Sequence, residues 1–74
     1  MNFKLLASAP TLSDIAKMVG KYWCRDVPYD LRPKDDKTWA IHYPAVSPRA
    51  GQELTSYRVI LKGRRYRFEV NMAA

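Results

Sequence analysis

The chain has 74 residues, 47% hydrophobic and 12% aromatic, with 13 basic and 7 acidic side chains for a formal net charge of +6. That is too apolar for a disordered chain and too short for a second domain, so residues 1–74 read as one small domain that buries only about 60% of its unfolded surface. The lone Cys24 excludes an intrachain disulfide, and no stretch approaches the roughly 20 apolar residues of a membrane span.

"MNFKLLASAP" has the flavour of a signal peptide, but its apolar run of about five residues falls short of the roughly 7–15 that such a segment uses. The expectation is a cytoplasmic protein without membrane association, for which a homodimer or a bound partner would add stability. Within this opening, "FKLLAS" (Phe3–Ser8) reads as a short strand with Phe3 and Leu5 on one side. Pro10 then precedes "TLSDIAKMVGKYW", where Thr11 and Asp14 have the spacing of a helix N-cap with an acid in the first turn. Leu12, Ile15, Ala16, Val19, Tyr22 and Trp23 recur at helical spacing, leaving Ser13, Asp14, Lys17 and Lys21 outside. Gly20 either closes this helix as a left-handed cap, or the helix runs on to Trp23.

The segment "CRDVPYDLRPKDDK" (Cys24–Lys37) mixes two prolines with charges of both signs and is expected to be a long polar connection with few regular hydrogen bonds. "TWAIHY" (Thr38–Tyr43) alternates Trp39, Ile41 and Tyr43 against Ala40 and His42, as a strand does. Pro44, Pro48 and Gly51 break the chain before "SYRVILKGRRYRFEV" (Ser56–Val70). A two-residue turn at Gly63-Arg64 pairs Lys62 with Arg65 and sorts the side chains by strand alternation. Tyr57, Val59 and Leu61 fall opposite Val70, Phe68 and Tyr66 on one face. The other face carries Arg58 opposite Glu69, Ile60 opposite Arg67, and Lys62 opposite Arg65. The fold class is therefore α+β: one amphipathic helix packed on a small antiparallel sheet of three or four strands ending in a C-terminal β-hairpin, with Leu12, Ile15, Ala16 and Val19 against Val59, Leu61, Phe68 and Val70.

"TLSDIAKMVG" (Thr11–Gly20) resembles the first helix and turn of helix-turn-helix DNA-binding domains, in a Thr-Leu start, an Ile-Ala pair and a Gly at the turn. The resemblance covers ten residues of 74. It implies a second, recognition helix after Gly20, with the hairpin as a wing and Arg25 and Arg32 near DNA. The chain instead continues "KYWCRDVPYDLRP", whose Pro28 and Pro33 fit a helix badly, so the residues themselves favour an ordinary amphipathic helix.

No catalytic, metal or cofactor motif is complete. His42 and Cys24 are single potential soft ligands, short of the four that a structural zinc site uses. Cys24 beside Arg25 lacks a catalytic partner, Asp35 and Asp36 between Lys34 and Lys37 read as a solvated loop tip, and the three glycines form no phosphate loop. The expectation is a binding protein rather than an enzyme, with no cofactor and no metal. Residues 1–37 hold seven basic and five acidic side chains, a net +2, whereas residues 38–74 hold six and two, a net +4. That second excess lies in the hairpin, where Arg58, Lys62, Arg64, Arg65 and Arg67 face only Glu69. These five form the candidate nucleic-acid-binding set, reading DNA or RNA through phosphate contacts, helped by Lys17 and Lys21 if the helix end lies nearby. The alternative is a protein-interaction or inhibitor module that uses an aromatic patch, the long loop or a sheet edge. Where the surplus aromatics fall discriminates the two: exposed beside the basic hairpin face and flanking its arginines they suit stacking on single-stranded bases, and on the opposite side they suit a protein interface.

Overall fold

The hairpin forms in the register its alternation dictates. The computed structural model, which describes residues 2–73, pairs β4 (Tyr57–Lys62) with β5 (Arg65–Asn71) from Tyr57↔Val70 through Val59↔Phe68 to Lys62↔Arg65. Gly63 has φ +65, the backbone region that a tight hairpin turn needs and that glycine enters without a Cβ penalty. On the turn's inner side Val59 and Phe68 have no exposed surface.

The remaining elements are β1 (Phe3–Ala9), α1 (Leu12–Tyr22), β2 (Asp30–Pro33) and β3 (Thr38–His42). They complete one antiparallel sheet of order β1-β5-β4-β3-β2. The sheet thus has five strands rather than three or four, and the extra one lies inside the segment expected to be an irregular connection. β2 contributes only Leu31 as an apolar residue and ends on Pro33, so no local pattern marks it. Pairing with β3, from Asp30↔His42 to Pro33↔Trp39, supplies its order. As an edge strand it carries a proline and the Arg32–Asp30 ion pair (3.0 Å), both of which discourage a further strand from adding.

α1 starts where its cap residues place it: Thr11 Oγ1 accepts from the Asp14 N–H at 3.1 Å. It passes through Gly20 and ends at Trp23, with Cys24 as the left-handed residue at φ 55. The Cys24 N–H donates to the Lys21 carbonyl (2.9 Å) and the Arg25 N–H to that of Gly20 (3.0 Å), the paired bonds of a Schellman ending. Gly20 is needed for another reason. A Cβ there would lie 2.0 Å from the Val27 carbonyl oxygen, because the chain doubles back along the helix and the Tyr29 N–H reaches the Ala16 carbonyl (3.2 Å). The second helix implied by the helix-turn-helix resemblance is not there; the chain turns instead into β2.

The helix lies chiefly over β1 and β5. Ile15 and Val19 reach the core beneath it, while Tyr29, Ile41 and Leu54 fill the other half of the same sheet face. Leu12 packs against this cluster, but Ala16, Leu61 and Val70, expected to share it, are only half-buried and are not part of it. Among the described residues no helix is long and apolar enough to cross a membrane.

Candidate functional site

The outer sheet face, turned away from α1, carries the basic side chains of the hairpin. Its chemistry departs from a row of free cations because Glu69 lies among them, only 5% exposed. Glu69 Oε1 accepts from Arg58 Nε at 3.0 Å and Oε2 from Arg67 Nε at 2.9 Å, so one carboxylate holds two guanidinium groups. The β1–β5 pairing brings Phe3 and Leu5 to this face, and Arg58 lies over the Phe3 ring with Cζ 3.5 Å from its centroid. A carboxylate on a face without a helix is buried here because arginine stems and these apolar side chains roof it.

The other three hairpin cations are arranged differently. Lys62 and Arg64 are exposed at the tip and make no ion pair among the described residues. Arg65 Nε donates to Ser8 Oγ at 2.9 Å, which ties it to the edge strand β1 but leaves its charge uncompensated. Arg65 and Ser8 line one groove with Lys17 and Lys21 of α1. Lys17 and Lys21 are four residues apart and share the helix's solvent ridge, because α1 buries Ile15 and Val19 on the opposite side. Arg65 and the helix thus meet at the β1 edge, with Asp14 the acid of that groove.

Apart from Phe3, a large group of aromatic side chains gathers on the helix side of the sheet. Trp23 stacks on Tyr29 (centroids 5.3 Å, interplanar 16°) and meets Tyr57 edge-on at 5.0 Å, with Tyr43 5.8 Å from Tyr29. Two clefts, of about 350 and 290 Å³, open here and share Trp23, Tyr43 and Arg49. Arg49 sits over the Tyr43 ring at 5.9 Å. These aromatics therefore lie on the side opposite the hairpin's basic face, the placement expected of a protein interface, yet they flank two other arginines: Arg25, placed near DNA only by the helix-turn-helix resemblance, and Arg49, for which the sequence suggests no site. Arg49 gave no signal because it lies between Pro48 and Gly51 in a loop whose path depends on the Tyr43–Gln52 backbone bond (3.0 Å) closing it.

Cys24 is exposed, and the buried Nδ1 of His42 has no hydrogen-bond partner among the described residues. No three His, Cys, Asp or Glu side chains converge among the described residues in a way that would hold a metal ion. Asp35 is held below the usual carboxylate range chiefly by the Lys37 N–H, which donates to its Oδ1 at 2.9 Å. That bond shapes the β2–β3 turn and brings no reactant near. Comparison with protein-family models, with curated proteins and with solved structures gives no match.

Proposed function

We propose that this chain binds the phosphate backbone of a nucleic acid, through the hairpin tip and the solvent ridge of the helix together. The contact set is Lys62, Arg64, Arg65, Lys17 and Lys21; Arg58 and Arg67 stay with Glu69 and position the strand rather than the ligand. One observation carries the reading: Arg65 shares a groove with Lys17 and Lys21, and none of the three has a carboxylate partner among the described residues. Like charges set side by side, as at Lys62 and Arg65, destabilise the free protein, and a polyanion relieves that repulsion.

With about five phosphates neutralised, log affinity should fall against log salt with a slope near −3.5 for a single strand or −4.5 for a duplex. Arg64→Ala with Arg65→Ala should flatten that slope by about 1.5 to 2 and leave the fold intact, since both side chains are exposed. Fluorescence anisotropy with labelled oligonucleotides at several salt concentrations measures both. Absence of binding at micromolar protein in low salt would overturn the proposal.

A second reading, a protein partner, has its own observation in the open edge of β1. The Met72 N–H donates to the Asn2 carbonyl (2.7 Å), so by alternation Phe3 and Leu5 direct their peptide groups away from β5. Leu5 is 44% exposed beside that edge. An extended segment could add there as a sixth strand. Pull-down from lysate with and without nuclease separates the two readings, because a strand-adding protein survives nuclease.

A further inference from the structure

The groove shared by Arg65, Lys17 and Lys21 does not end at the helix. Lys17 and Lys21 also line the next groove, of about 310 Å³, whose far wall is Arg25. Arg25 in turn lines the 290 Å³ cleft with Trp23, Tyr43 and Arg49, and those three continue into the 350 Å³ cleft beside Tyr57. Neighbouring grooves thus share residues all the way from the hairpin tip to the aromatic cluster. Five cations border this path, and none is ion-paired among the described residues: Arg65, Lys17, Lys21, Arg25 and Arg49. The acids along it are Asp14, Asp26 and Glu53, and Glu53 is already held by Lys34 at 3.3 Å.

We propose that the ligand is a single-stranded polynucleotide whose backbone follows these cations and whose bases enter the cleft at Trp23, Tyr43 and Tyr57, with a base replacing Arg49 on the Tyr43 ring. This rests on the phosphate-binding reading above and adds which nucleic acid is bound and how. The Tyr43 ring face is the natural platform. Arg49 covers it at 5.9 Å, near the outer limit of a cation–π contact, so the guanidinium moves off at little cost and meets a phosphate instead. Trp23 serves as a wall rather than a platform, since Tyr29 already stacks on it and Tyr57 meets it edge-on. Gln52, Thr55 and Ser56 border the same cleft and supply donors and acceptors for base edges. A duplex keeps its bases stacked inside and presents none to Tyr43, and the path bends over the helix ridge and round its end, which suits a flexible strand.

The test uses the full chain with three labelled probes: an oligo-dT of about 12 nucleotides, a duplex of the same length, and polyglutamate. The expected result is oligo-dT binding roughly tenfold or more tighter than the duplex, and much tighter than polyglutamate. Tyr43→Leu should weaken oligo-dT binding roughly 5- to 150-fold with an unchanged salt slope, whereas Tyr43→Phe keeps the ring and the affinity. Lys17→Ala with Lys21→Ala should instead reduce the slope by about 1.4. In a Trp39→Phe background, where Trp23 is the one tryptophan, oligo-dT should quench the tryptophan fluorescence, a readout that does not depend on the stability of any Tyr43 variant. Equal binding of single strand and duplex, with no Trp23 quenching, would overturn the base cleft while leaving the phosphate reading standing. Failure of both nucleic acids would overturn both. Polyglutamate binding as tightly as oligo-dT would overturn the polynucleotide in favour of an acidic protein segment.

Discussion

Replacing Gly20 with Ala tests the account of how the helix end is built, because two effects of opposite sign compete there. In an open helix position the change stabilises by about 0.8–1 kcal/mol, since alanine has the higher helix propensity. Here the new Cβ would lie 2.0 Å from the Val27 oxygen, where at least 3.0 Å is needed, so the doubled-back chain must retreat by about 1 Å. That chain is pinned to the helix by Arg25 N–H to Gly20 O (3.0 Å) and Tyr29 N–H to Ala16 O (3.2 Å), and Tyr29 is 4% exposed against the core. Overpacking of this kind costs about 1–3 kcal/mol, and weakening one of the two bonds adds about 1 kcal/mol. The steric effect wins, and Gly20→Ala should destabilise by about 1–3 kcal/mol, a fall in Tm of about 5–20 °C for a chain of this size. Urea unfolding followed by far-ultraviolet circular dichroism measures it. An unchanged or higher midpoint would mean that Val27 is not held against the helix.

Cys24→Gly should have the opposite sign, raising stability by about 0.5–1 kcal/mol, because the left-handed position costs an exposed non-glycine residue more than it costs glycine; the same urea titration reports it. Glu69→Gln should destabilise by about 1–2 kcal/mol, the low end for a charge-assisted pair because both arginines are about one-third exposed, and by freeing Arg58 and Arg67 it should steepen the salt dependence of oligonucleotide binding. Asp35 titrates below its ordinary value when folded, so its contribution is present above the unfolded pKa of 3.8 and is lost as pH falls through the lower folded value. Asp35→Asn should therefore lose less stability on acidification than the parent chain, and acid-unfolding curves of the two proteins make the comparison.

Local rules were enough wherever one segment contains its own answer. Thr11 and Asp14 are three residues apart, so the helix start was legible, and the hairpin's pairing followed from alternation on either side of one glycine. Tertiary structure decided the rest, since each remaining feature depends on a partner distant in sequence. β2 exists because β3 offers hydrogen bonds to Asp30–Pro33, a stabilisation that its own mixture of charge and proline does not announce. The helix runs through Gly20 and ends at Trp23 with Cys24 as the left-handed residue, while Gly20 is required by Val27, which returns to occupy the space where a side chain would stand. The same holds for the candidate site. Sequence placed five cations at the hairpin, but charge is counted along the chain and compensated across space: Glu69 takes Arg58 and Arg67, while the fold brings Arg65 to Lys17 and Lys21, and Arg25 to Arg49, over the helix and past its end.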